Sequence, residues 1–148
     1  MAISNDTEFK TALNKLTVAQ QRQAASRFVE NVLPLCKDAR VKGAVTAARR
    51  QDITDAELTA LFQATKSASV ESFTQCGREA DWLAQAGHFV AEAAMACVKA
   101  VEAGDNLAWN AGMSARMART CEAIAGGAGT ENSEAAAQYR ILAEFLNQ

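Results

Sequence analysis

At 148 residues, 49% of them hydrophobic and many of those alanine, the chain is the size of one domain able to bury a core without disulfide or metal staples. Its 15 basic and 17 acidic residues are interspersed and sum to a net charge of −2, which excludes the basic face that a nucleic-acid backbone requires. The longest stretches free of charge, Trp82 to Ala91 and Asn106 to Ala115, contain polar side chains and reach only ten residues, far short of the roughly 18 apolar residues of a membrane span.

One proline and eight glycines among abundant Ala, Leu, Glu, Gln, Lys and Arg make helix propensity high nearly everywhere, and alternating strand patterns are missing. A first, short helix is expected from Asp6 to Lys15, capped by Asn5 or Asp6. Thr17 with Gln20 three residues on forms a capping box that opens a second helix through Ala24, Ala25, Phe28, Val29 and Val32, and Pro34 should end it. A third helix is expected from Val41 to Arg50, with Ala44, Ala47 and Ala48 as its apolar stripe.

Thr54 with Glu57 is a second capping box and starts the longest helical stretch, which meets no proline or glycine pair before Gly104. Nearly fifty residues, counted from Thr54 to Gly104, exceed an ordinary globular helix. Ser67, Ser69, Ser72, Thr74 and Gly77 predict a break between Ser67 and Gly77, giving a fourth helix from Asp55 to Glu71 and a fifth from Phe73 to Ala103. Gly104 then terminates the fifth helix, and Asp105 or Asn106 caps a sixth that runs to Ala125. The GGAGT run, Gly126 to Thr130, is a loop, after which Asn132 or Ser133 caps a last helix from Glu134 to Leu146. That helix should dock through Ala137, Ile141, Leu142 and Phe145. The expectation is a single all-α domain, a helical bundle of about six or seven helices with a long central helical stretch.

Asp6 and Glu8 stand where a secretory signal would carry basic residues, so a cytoplasmic location is expected. In that reducing compartment Cys36, Cys76, Cys97 and Cys121, which form no CxxC pair, read as small buried hydrophobes. Cys76, beside Arg78, is the one placed to become a thiolate, although burial without reactivity is the ordinary state of a free cysteine.

His88, the only histidine, shares a face of the fifth helix with Asp81, Gln85, Glu92 and Lys99. One turn apart, His88 and Glu92 could serve as two metal ligands or as an acid and base pair. An amphipathic helix shows the same stripe to water, or to a neighbouring helix through a few hydrogen bonds, and that account is favoured. The Glu-x-x-His pattern of di-iron bundles is missing. Trp109, Met113 and Met117 form a soft stripe on the sixth helix, suited to a ligand pocket or a partner surface and equally to a core. Arg116 and Arg119, with Arg49 and Arg50, are candidate anion binders, and solvated arginines are the commoner outcome. Gly126, Gly127 and Gly129 follow a helix and lack the lysine of a phosphate loop. As binding residues the sequence thus offers His88, Glu92 and Trp109, with no catalytic residue, metal site or cofactor expected.

Two segments resemble the alanine-rich, all-helical group numbered five of the immunity proteins of bacterial polymorphic toxin systems. Arg27 to Asp38, RFVENVLPLCKD, is similar to that family's early helix with its VLPL-type turn. Ala86 to Val101, AGHFVAEAAMACVKAV, is similar to its central helix. The resemblance implies a cytoplasmic, non-enzymatic protein that binds and neutralises a toxin. The residues by themselves leave two other readings open, a small-molecule or metal-binding bundle using His88 and Glu92 with the Trp109 stripe, and a homo-oligomeric structural subunit.

Overall fold

A computed structural model describes residues 2–75, 81–127 and 129–148. Among the described residues the chain forms seven α-helices and no strand: α1 (Asp6–Asn14), α2 (Val18–Val32), α3 (Ala39–Ala47), α4 (Asp55–Gln75), α5 (Trp82–Val98), α6 (Leu107–Ala125) and α7 (Glu134–Leu146). A 3-10 turn, Leu33–Leu35, follows α2 and places Pro34 just past the last α-helical turn. The all-α bundle expected from composition is what forms. No helix of the described residues is long and apolar enough to cross a membrane.

Most helix starts fall where the polar caps put them. Asn5 accepts a bond from the Glu8 amide at 2.9 Å, and the Thr17–Gln20 box is closed in both directions, at 2.9 and 3.2 Å. Asn106 accepts from the Trp109 amide at 3.0 Å and opens α6. Thr54 accepts from the Glu57 amide at 3.1 Å, while the Glu57 carboxylate turns to the Thr54 hydroxyl and to Arg50. α3 begins two residues earlier than expected, at Ala39, because the Asp38 carboxylate caps the Arg40 amide at 2.9 Å.

The long central stretch departs from expectation at both of its inner boundaries. Ser67 to Gln75 stays helical, so α4 does not end at Glu71, and α5 begins at Trp82, not Phe73. The hydroxyls in this segment do not compete with the helix, since Ser72 and Thr74 donate back to the carbonyls of Ser69 and Glu71 at 2.9 and 2.8 Å. Asp81 caps α5 by accepting from the Ala84 amide at 3.0 Å. Gly77 and Cys76 lie outside the described residues, so the part of the expected break that falls there carries no structural account.

At its other end α5 stops at Val98 rather than Ala103, five residues before the expected end, and Gly104, with φ +84°, sits in the loop beyond. The terminator is a buried arginine from a distant helix. Arg22 of α2 donates to the carbonyls of Cys97 at 2.9 Å and Lys99 at 2.8 Å, so a cation satisfies carbonyls at the helix end where they lack intrahelical partners. Gln21 beside it bonds the Leu16 carbonyl at 3.2 Å and the Leu107 amide at 3.1 Å, tying the end of α1 to the start of α6.

At the centre α5 lies along α6 and α4, and α2 along α6. The α5–α6 seam is made of small residues, Ala86, Ala93, Ala94 and Cys97 against Ala108, Ala111, Ala115 and Ala118, all fully buried. Larger side chains fill the space around it, chiefly Phe9, Phe28, Leu13, Leu107 and Leu142. α7 docks through Leu142 with Ile141 and Phe145, as expected, while Ala137 is half-buried outside the core cluster and two polar residues that the sequence reading passed over take part instead. Glu134 is 2% exposed and Gln138 0%.

Of the cysteines, Cys97 and Cys121 are buried and Cys36 is half-buried. Burial pushes the Cys97 thiol up to about 12 and raises that of Cys36, so neither is a ready thiolate.

Replacing Arg22 with methionine keeps most of the side-chain volume and leaves the Cys97 and Lys99 carbonyls without their donor. Urea unfolding should report a loss of about 2 kcal/mol. At the surface, hydrogen bonds from Arg116, opposed in part by burial and helped by Tyr139, hold the Asp6 carboxyl below its usual range. A carboxyl whose folded value is depressed contributes stability above its unfolded value and loses it as pH falls through the folded one. Melting followed from about pH 6 to about pH 2 should therefore be less steeply acid-dependent in Asp6→Asn than in the wild type.

Candidate functional site

His88 and Glu92 do lie on one face of α5, and that face meets α4 rather than open water. His88 Nδ1 is 3.0 Å from the Ser69 carbonyl and 3.1 Å from Ser72 Oγ, and its Nε2 is 3.5 Å from Glu92 Oε1. The Ser69 hydroxyl closes the ring by donating to the same Glu92 oxygen at 2.7 Å. A carbonyl can only accept, so Nδ1 is held as a donor towards Ser69, and the Ser72 hydroxyl gives its own proton to that carbonyl at 2.9 Å. With Nδ1 committed in this way, His88 is not placed to take a proton from Ser72 as a nucleophile's base would. The arrangement clasps two helices together.

The His88 ring meets two aromatic neighbours, tilted against Phe73 of α4 at 5.6 Å and edge-on to Phe89 at 5.5 Å, centroid to centroid. Phe73 is itself 69% exposed. Val70, one turn earlier on α4, is 56% exposed, and Leu83, in the first turn of α5, is 59% exposed. The antiparallel pairing of Ser69 with Glu92 and of Ser72 with His88 puts all three at the same end of the α4–α5 pair.

On the other flank of α4 a cleft of about 690 Å³ opens between the Leu33–Leu35 turn, α4 and α5, with Leu35, Cys36, Glu71, Ser72, Leu83 and Gly87 among its walls. Gly87 lets the turn ride close to α5, since a Cβ there would stand 3.2 Å from the Leu35 carbonyl oxygen. One rim is locked by Arg40, which bonds Asp38 at 2.7 Å and Glu71 at 2.6 Å. Its guanidinium holds both carboxyls below their usual range and is itself held protonated.

Trp109 is not brought to this region. It packs on Phe9 at 6.2 Å with the Lys10 ammonium 4.9 Å above its ring, in the seam between α1 and α6. Met117 of the same stripe faces solvent, 48% exposed, so the three residues do not line one pocket. The four arginines weighed as anion binders are engaged within the chain. Arg116 bonds Asp6 and Gln138, Arg119 bonds Glu122 and Glu134, Arg49 bonds Glu30 and Ser26, and Arg50 bonds Asp52 and Glu57. Among the described residues no three His, Cys, Asp or Glu side chains come together so as to hold a metal ion.

The exposed apolar residues of α4 are what sequence reasoning missed, and a signal for them existed. Leu58, Leu61, Thr65 and Ala68 recur at helical spacing on one face, and Val70 and Phe73 fall off it.

Replacing His88 with alanine removes the donor to Ser69 and the ring between Phe73 and Phe89, and should lower stability by about 1–3 kcal/mol in denaturant unfolding. A surface histidine would cost well under half of that. Comparison of the chain with known protein families, with curated proteins and with solved structures finds no match.

Proposed function

We propose that the chain is a non-enzymatic binding protein that docks a partner protein on the open end of α4 and α5, and that it acts as an immunity protein neutralising a toxin. The observation that carries the docking reading is the exposure of Phe73 and Val70, one turn apart on α4, near the end of the helix pair where Leu83 stands exposed in the cleft wall. Large apolar side chains gathered at a surface, rather than scattered singly, mark interaction sites.

The immunity reading is supported by the two resembling segments, which the fold places against each other. The turn after Arg27–Val32 rides over Gly87 of the second segment, so the glycine has a packing reason to sit there. The small-molecule reading has less behind it, because Trp109 belongs to the α1–α6 seam and His88 with Glu92 to the α4–α5 seam.

The test is co-expression with any toxin that is found encoded beside this chain. The wild type should protect cells and co-purify with the toxin. A Val70→Ser, Phe73→Ser double variant, still folded by circular dichroism, should bind about tenfold or more weakly. Failure of the wild type to bind or protect against a neighbouring toxin would sink the immunity reading. Undiminished binding by the double variant would place the docking surface elsewhere.

A further inference from the structure

α7 is held to the bundle largely through polar contacts. Its fully buried stripe is Glu134, Gln138 and Leu142, spaced i, i+4, i+8, and two of these three are polar. Glu134 accepts from Asn31 of α2 at 2.8 and 3.0 Å and from Arg119 of α6 at 3.2 Å. Gln138 donates to the Gly112 carbonyl of α6 at 2.8 Å and accepts from Arg116 at 2.9 Å. Tyr139 reaches Asp6 of α1 at 2.7 Å. By contrast α5 and α6 bury alanine, valine, leucine and cysteine against one another.

This difference sets what it costs to lift each helix away. Separating α5 from α6 exposes apolar surface that water does not compensate. Lifting α7 exposes Leu142 together with the inner sides of Tyr139, Ile141 and Phe145, and it also returns a carboxylate, an amide and two guanidinium groups to water, which solvates them well and offsets part of that cost. The connector from α6 to α7 is eight residues, 126–133, in which Gly127 and Gly129 take φ of +76° and +71°, conformations that glycine adopts without steric cost. Eight residues reach roughly 26 Å when extended. The site left behind is complementary to one thing with certainty, another α7, since each contact above would be met by the same helix from a second copy. Gly112 makes it selective. A Cβ there would stand 3.3 Å from Gln138 Oε1 and 3.6 Å from Phe28, so the groove is shaped to the amide of Gln138.

We propose that α7 is an exchangeable strap: it lifts as one unit on the 126–133 connector, and two copies of the chain form a dimer by lending each other α7. Because every contact of the strap is already specified within one chain, the exchanged form adds no new interface and loses none.

The test uses the full chain. Protein is held at high concentration just below its melting temperature, cooled, and run over a sizing column with light scattering, beside a variant deleted for Gly126 to Asn132. One residue then joins α6 and α7, too few for them to fold back antiparallel. The wild type should yield a species of two-chain mass that returns to one chain slowly on dilution, and the deletion variant should be two-chain throughout. Hydrogen exchange should show the α7 amides of the wild type exchanging roughly tenfold or more faster than those of α5 and α6. A folded, one-chain deletion variant would overturn the proposal. So would a wild type that remains one-chain, or α7 amides protected as strongly as those of α5 and α6. The two wild-type measurements stand whether or not the deletion variant folds.

Discussion

Alanine is the side chain through which α5 and α6 meet, and the rest of the bundle is shaped by that choice. Short side chains let two helix backbones come close, yet each contributes little more than one methyl group of buried surface, worth about 0.8 kcal/mol. A stripe of alanines also offers similar packing when one helix slides by a turn, because it has few knobs to lock into particular holes. Register is then set by residues that fit in only one place. Arg22 does this at the end of α5, Gln21 at the start of α6, and Gln138 opposite Gly112 at its middle. Phe9 and Phe28, tilted against each other at 5.5 Å with Tyr139 and Trp109 around Phe9, supply the bulk that the alanines do not.

Much of this was legible where the cause is local. Asn5, Thr17 with Gln20, Thr54 and Asn106 satisfy amides within three residues of themselves, so they announce helix starts in the sequence alone. The GGAGT loop and the extent of α7 follow from the same kind of local chemistry. What was not legible depends on partners far along the chain. The end of α5 is decided by Arg22, 75 residues away from Cys97, while Gly104 looked the more obvious stop. The serines of α4 read as helix breakers because their hydroxyls could compete with the backbone, and in the fold two of the segment's hydroxyls bond within the helix and Ser69 spans to Glu92.

The candidate site shows the same division. That His88 and Glu92 share a face is a matter of helical spacing and needs no fold. That the face meets Ser69 and Ser72, and leaves Phe73 beside His88 yet largely in water, depends on α4 running on past Glu71, where its end was expected. Glu134 and Gln138 escaped notice for the opposite reason, since a polar residue carries no sign in the sequence that it will be buried. The proposed docking at α4 and α5 and the proposed exchange of α7 rest on different elements. The first relies on apolar groups left uncovered, the second on polar groups well covered.

Arg22 also bears on the order in which the molecule can assemble. The last turn of α5 and the departure of the chain at Lys99 rest on a guanidinium delivered by α2, so that turn has its carbonyls satisfied only after a long-range contact has closed. Docking of α2 thus completes the end of α5 as well as packing against it. The segment from Lys99 to Asn106, which aims α6 back along α5, takes its direction from the second helix of the chain.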